Sequence, residues 1–296
     1  MRILLSVLAI ASLLSTQAMA QSRGLEPGAE AESWAGVGIL QIAGGGWCSA
    51  ALIAPDTVLT AAHCVYPAGQ TEIAAPERVT FHAGWRDGLT AARRNAVRIV
   101  AHRDYDPSQP YAAPNIAADL ALVYLDLPVD PGAARPFGQM DRVRVGEPVS
   151  IVSFSGLRSD VASITEGCDV QSRDGDILIL DCPSYSGMSG APVFGTVNGK
   201  PEVIALISGS RYDASGSNRA IALAIRTPLG RVSIDADSLR STPLAALPSW
   251  SARVAVRATP LSTAARKTIT VSSGTGFGLG GGTGSGRKVV RPPSGN

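Results

Sequence analysis

The sequence predicts an all-β protein, built as a sandwich or a barrel. Strand-sized apolar runs follow one another from Trp34 to about Asp237, each bounded by Gly, Pro, Asp or Asn. Long helical periodicity is scarce between them, so no helices are interleaved as a parallel α/β sheet requires. TVNGKPEV adds a hairpin signal: Asn198-Gly199 is a pair that tolerates the positive φ of a two-residue turn.

Taken in chain order, residues 1–20 are expected to be a secretory signal peptide. Arg2 gives a positive start, Ile3 to Leu14 form a short apolar run, and Ala18-Met19-Ala20 is a small-residue cleavage site. The run is too short to span a bilayer, and no later stretch is long and apolar enough to do so. A secreted or periplasmic protein without a transmembrane segment is therefore expected, its mature chain starting near Gln21. Residues 21–33 form a short N-terminal segment or propeptide. Residues 34–238 hold the strand runs, among them GVGILQIAG, SAALIAPDTVLTAA, RVTFHAG, NAVRIVAH, DLALVYLDL, EPVSIVSFSG, DILILDC, APVFGTV and EVIALISGS. Residues 239–296 turn Ala/Ser/Thr/Pro-rich, then glycine-rich and basic. They have little to bury, and a flexible tail is expected.

The formal net charge of the 296 residues is +2, unevenly spread. No Asp or Glu follows Asp237, whereas eight Lys and Arg do, from Arg240 to Arg291, so the body before them is acidic. A basic tail can touch an anionic surface such as cell wall, lipopolysaccharide or nucleic acid by charge alone. Nothing in it reads base edges, so no specific nucleic-acid partner is expected.

Four cysteines occur: Cys48, Cys64, Cys168 and Cys182. Export permits disulfides, and four cysteines allow three pairings among which the sequence does not choose. Zinc is the rival use, but there is no C-x-x-C and only His63 adjoins a cysteine. No metal and no organic cofactor is expected.

Three stretches can carry chemistry. VLTAAHC ends an apolar run on His63, and a neutral imidazole is the usual proton acceptor near neutral pH. In PNIAADLALVYLDL, Asp119 stands at a strand entrance, where a half-buried carboxylate can fix the tautomer of a neighbouring histidine. PSYSGMSGAPVF sets Ser189 among Gly187, Met188 and Gly190; such glycines let the backbone turn sharply and aim the Gly187 and Ser189 amides at one point, an oxyanion hole. Ala191 breaks the G-x-S-x-G pattern, which excludes the strand-to-helix nucleophile elbow. His82 and His102 sit in strand-like contexts without a further catalytic signal.

TAAHC, DLALVYL and GMSGAP, in that order and in a β-rich exported chain, resemble the chymotrypsin/trypsin-like serine peptidase family from about Trp34 to Asp237. The pattern is closest to bacterial secreted members of the glutamyl-endopeptidase type. The resemblance implies two antiparallel six-stranded β-barrels with the active site in the cleft between them. It implies His63 as general base, Asp119 as its orienter and Ser189 as nucleophile. It also implies a Cys48–Cys64 disulfide bracketing the histidine and a Cys168–Cys182 pair across a hairpin, the latter loop worth about 3 kcal/mol of closure entropy. VIALISGS would line the substrate cleft: Ser208 supports Asp119, and the Ser208–Gly209–Ser210 backbone pairs with an extended peptide.

The departures are specific. Met188 stands where animal members carry an aspartate that pairs with a newly freed N-terminal amine. Pro183 stands where trypsins carry the pocket-floor aspartate, and no histidine after His102 could serve a glutamyl pocket. Ser184 and Ser210 are candidate pocket residues, and Arg219 a candidate positive charge for an acidic side chain. Two other readings use the same residues: a non-catalytic binding protein on this fold with the basic tail as its functional part, and an esterase with the same triad. All three triad positions are filled, which favours a serine endopeptidase. Protein or peptide substrates and a monomeric state are expected.

Overall fold

The computed structural model of the chain describes residues 21–241 apart from 111 and 141. The expected signal peptide and nearly all of the expected tail lie outside the described residues. The first barrel closes in the order β2 (Val37–Ile42), β3 (Trp47–Ala54), β4 (Thr57–Thr60), β7 (Ala121–Leu125), β6 (Ala92–Ala101) and β5 (Val79–Ala83). The second ring is formed by β9 (Pro148–Ser155), β10 (Arg158–Asp174), β11 (Ile177–Leu180), β14 (Asn218–Ala224), β13 (Lys200–Tyr212) and β12 (Pro192–Val197). The pairing of β10 back onto β9 closes it. Every pairing in both rings is antiparallel, and the two six-stranded barrels are the expected fold. Two short strands attach outside the second ring: β1 (Gln21–Gly24) to β10, and β8 (Gly138–Gln139) to β13.

Each ring has its own core, and a third core joins them. Leu40, Leu52, Val58 and Phe81 pack inside the first ring. Ile151, Leu178, Leu180 and Ile204 pack inside the second. Between the rings, Trp47, Leu120, Phe154, Phe194 and Leu206 form one cluster from both. Burying this shared face makes the two barrels one cooperative body and fixes the junction at which a site can form.

Local chemistry explains the turns. Asn198 (φ 49°) and Gly199 (φ 76°) both occupy the left-handed region between Val197 and Lys200, as the hairpin signal requires. β10 was not foreseen as one strand. It runs 17 residues, largely polar, and slips register against its neighbours between Arg158 and Ser163, Thr165 and Cys168, and Val170 and Ser172. Such bulges break the strict alternation that marks a strand in sequence.

Residues 21–33 are docked. β1 pairs with Ser163–Glu166 of β10, Leu25 is buried in the core between the barrels, and Arg23 bridges Glu30 at 2.7 Å. Helix α1 (Ala29–Ser33) then leads to Trp34, which packs on Phe194 with ring centroids 4.9 Å apart. At the other end, helix α3 (Arg226–Ser241) carries on past residue 238, three residues into the segment expected to be tail.

Candidate active site

His63 lies in a 3₁₀ turn, Ala62–Val65, directly after β4. Asp119 follows the short helix α2 (Ala113–Ile116) and is 3 % exposed. The Asp119 carboxylate accepts three hydrogen bonds. The His63 backbone N–H donates to Oδ1 at 2.9 Å, the imidazole Nδ1 to Oδ2 at 2.8 Å, and the Ser208 hydroxyl to Oδ2 at 2.6 Å. An ionised carboxylate only accepts, so Nδ1 carries the proton and Nε2 is left as a base. Burial disfavours the His63 imidazolium, but the charge and hydrogen bond of Asp119 outweigh it and raise the imidazole above its ordinary value.

Ser189 is held in the same corner through its backbone. Its carbonyl accepts the Ser49 N–H at 2.9 Å, and the same N–H reaches the Gly187 carbonyl at 3.2 Å. The Ser49 hydroxyl donates to the Gly187 carbonyl at 2.8 Å and accepts the Phe154 N–H at 2.9 Å. The Gly190 N–H donates to the Ile207 carbonyl at 2.7 Å. Ser49 follows Cys48, which is bonded to Cys64, the neighbour of His63. One disulfide thus ties the cradle of Ser189 to the turn that bears His63.

The two glycines are sterically required. Gly187 (φ 90°) lies against the Trp47 ring, and Gly190 (φ 73°) against Thr60, the Ser49 carbonyl and the Ala61 N–H; a methyl group at either would clash. Among the described residues, the Gly187 and Ser189 N–H groups donate to no protein acceptor, and the Ser189 hydroxyl is not hydrogen-bonded to His63. Contacts of the latter kind often tighten only when substrate arrives.

Met188 is 3 % exposed in the core of the second barrel. Its N–H donates to the Tyr185 carbonyl at 3.0 Å and its sulfur accepts the Tyr185 N–H at 3.3 Å. The loop is therefore held from inside by apolar packing rather than by a buried charge.

β13 leaves part of one edge open. It pairs with β12 only as far as Leu206, while its pairing with β14 continues to Tyr212. A register shift between Ile207 and Gly209 turns Ser208 toward Asp119. Beyond Ile207 the second edge has no strand partner among the described residues, as on any open sheet edge. Ser184 is 4 % exposed, and its backbone is clamped by Asn218, whose Nδ2 donates to the Ser184 carbonyl at 2.9 Å. Asn218 and Ser49 were not foreseen from sequence; a polar residue inside a strand run gives no sign of which distant loop it will hold.

The candidate positive charge on Arg219 is committed elsewhere. Its Nε donates to Asp213 at 2.8 Å and its Nη1 to the Asp181 carbonyl at 2.5 Å. Hydrogen bonds from Ser215 and then Arg219 hold the Asp213 carboxyl well below the usual carboxylate range. Cys48, His63 and Cys64 lie close enough to share a metal ion, but the disulfide consumes both thiols. The second bridge joins Cys168 and Cys182 across the β10–β11 hairpin, with Cα atoms 5.4 Å apart.

Two antiparallel barrels with the Asp119–His63 pair at their junction define a class, the double-barrel fold of the trypsin-like peptidases. The chain belongs to the trypsin-like peptidase domain family, whose pattern matches residues 48–206. Among solved structures it is similar to a Glu endopeptidase in complex with MPD, at 16 % identity and a TM-score of 0.57, over 72 % of this chain and 95 % of that one. At that identity the likeness speaks to the fold alone. No curated protein matches the chain significantly.

Proposed function

We propose that this chain is an exported serine endopeptidase working through an acyl-enzyme. The observation that carries the reading is the buried Asp119 carboxylate shared by His63 and Ser208, which leaves His63 Nε2 as a base at the barrel junction. The Ser189 hydroxyl attacks the scissile carbonyl as Nε2 takes its proton. The oxyanion of the tetrahedral intermediate is held by the Gly187 and Ser189 amides, each such donor contributing about 3–4 kcal/mol. The imidazolium then returns the proton to the leaving amine, and water repeats the sequence on the ester. No metal or cofactor enters any step.

An extended peptide adds as a strand along Ser208–Ser210, with its side chain before the scissile bond directed toward Ser184 and Ser210. The open edge of β13 favours peptides over small esters, since strand addition uses backbone amides that a simple ester lacks. Because Arg219 is neutralised by Asp213, an acidic residue at that position gains no attraction from it. Met188 packing supports a site that is competent without insertion of a freed N-terminal amine.

The test is labelling of the oxidised protein with a fluorophosphonate, followed by peptide hydrolysis. Modification of Ser189 is expected, and Ser189→Ala is expected to lose both labelling and hydrolysis. Hydrolysis retained by Ser189→Ala, or a wild type that is folded yet inert to both assays, overturns the reading.

A further inference from the structure

Leu25 is tied to both barrels at once. Its N–H donates to the Ala162 carbonyl at 2.9 Å, and its carbonyl accepts from Arg86 Nη2 at 2.6 Å. Ala162 is part of β10 in the second barrel, whereas Arg86 stands between β5 and β6 of the first. The buried Leu25 side chain belongs to the core between the barrels, in one cluster with Trp47, Phe154 and Ile164.

The residues around this junction hold it from every side. β1 keeps the preceding segment on β10 in register, with Arg23 opposite Ile164 and Gly24 opposite Ser163. Arg23 donates to both Glu30 carboxylate oxygens, at 2.7 and 3.0 Å, and so draws α1 back onto the strand. The turn that bears Arg86 is docked as well. Arg86 pairs with Val161 as an isolated antiparallel bridge, and the Asp87 N–H donates to the Asp160 carbonyl at 2.7 Å. Asp160, Val161 and Ala162 lie where β10 slips register against β9, between Arg158 and Ser163. A bulge takes backbone groups out of the ladder, and here the segment and the turn satisfy them. The same β9–β10 hairpin abuts the loop that carries Ser189, since the Gly156 N–H donates to the Ser186 carbonyl at 2.8 Å.

Apolar burial is non-directional, so the core between the barrels resists their separation more than a rotation of one on the other. Hydrogen bonds are directional, and a charged donor makes one roughly twice as strong as a neutral donor does.

We propose that residues 21–33 are a retained strap and that Arg86 is a positioning residue. By fastening the strap to the first barrel, Arg86 fixes the angle between the barrels and with it the placement of His63 against Ser189. The segment then belongs to the working enzyme, and its release lowers activity instead of unmasking it. This rests on the serine-peptidase reading above. In that reading the peptide adds along Ser208–Ser210 of the second barrel, while the Asp119–His63 pair is carried by the first. A change in the angle between barrels therefore falls on kcat and spares both KM and the pH midpoint.

The test compares wild type with Arg86→Gln, Arg86→Lys and Leu25→Pro in the full chain, well below their melting temperatures. Hydrogen exchange read by mass spectrometry follows residues 21–25, and steady-state kinetics use a peptide that wild type cleaves. Arg86→Gln is expected to speed exchange in the segment and to lower kcat on the order of ten- to a hundredfold, the scale of a misplacement approaching about 1 Å. KM and the acid midpoint of activity are expected to stay unchanged. Arg86→Lys keeps a cationic donor for the Leu25 carbonyl and is expected to recover most of kcat. Leu25→Pro deletes the N–H that reaches Ala162 and is expected to repeat the split from the side of the segment. Normal kcat in a folded Gln or Pro variant whose segment exchanges faster overturns the proposal. So does a loss of kcat in Arg86→Gln without faster exchange, or a Lys variant no better than Gln. A folded wild type that is inert to peptide and to fluorophosphonate overturns the peptidase reading and this inference with it; active wild type and variants of equal kcat overturn this inference alone.

Discussion

Asp119 is the residue on which the site turns, because one buried carboxylate accepts from the His63 backbone, the His63 ring and Ser208. Asp119→Asn presents an amide where an acceptor is needed and favours the wrong tautomer of His63. A loss in kcat on the order of 10⁴-fold is expected, as for the serine-protease template, with little change in KM. Titration gives a second readout. The base must be neutral, and Asp119 raises His63 above its ordinary 6.5. Activity should therefore rise with pH through a midpoint above 6.5, and Asp119→Asn should move the residual activity's midpoint downward. Stability runs the other way. A raised folded value means that the contribution is full below the unfolded pKa and fades as pH climbs through the folded one. Melting curves taken across that range should lose this increment in the wild type and show none in the variant. An acid limb centred below 6.5 in wild type would contradict the assignment. At this scale the sequence was informative where chemistry is tied to a local pattern: TAAHC, the aspartate before LALVYL, and Ser189 among glycines. It was silent on Ser49 and Asn218, whose roles come from loops more than a hundred and about thirty residues away respectively. It offered Arg219 as a candidate charge without showing its pairing with Asp213, which closes through a turn whose geometry no motif announces.

The elements around the site show what burial does to segments that look dispensable. Gln21–Ser33 could be read as a removable leader, yet β1 adds to β10 and Leu25 is 4 % exposed in the core between the barrels. Leu25→Ala should cost about 2–5 kcal/mol. In a domain of this size each kcal/mol lowers the melting temperature by roughly 2–4 °C, so calorimetry should resolve the change. An unchanged melting temperature would mean that the segment is not docked in solution. The Cys168–Cys182 bridge makes a comparable element-scale contribution. It closes a hairpin with a sequence separation of 14, and Cys168→Ala/Cys182→Ala should cost about 3 kcal/mol in urea unfolding. Strands were legible where both neighbours bury them, as in the LVYL and VIALI runs. β14 was hidden for a physical reason: NRAIALA is rich in alanine, which has little strand preference, and only pairing with β11 and β13 makes it extended. α3 escaped because it begins inside the strand-rich region and its helical pattern is weak.

At the scale of the whole molecule, the groups proposed for catalysis are divided between the barrels. His63 and Asp119 belong to the first, Ser189 and Ser208 to the second, and neither half alone holds a complete site. The relative position of the halves is set by the core between them, in which Phe194 meets Trp34 and Phe137 with ring centroids 4.9 and 4.8 Å apart. Phe81, by contrast, is fully buried inside the first barrel. Phe194→Leu and Phe81→Leu remove similar volume, and each should destabilise by roughly 1–3 kcal/mol. Their effects on catalysis should differ. A vacancy within one barrel leaves the junction intact, so Phe81→Leu should keep kcat near wild type at temperatures where it is folded. A vacancy at the junction lets the halves shift, and a displacement near 1 Å between base and nucleophile can cost about a hundredfold. Phe194→Leu should accordingly lose kcat well beyond its loss of stability. Steady-state kinetics of both variants, well below their melting temperatures, decide the matter. Equal kcat values would show that the triad is positioned by the Ser49 and disulfide ties alone, without help from the core between the barrels.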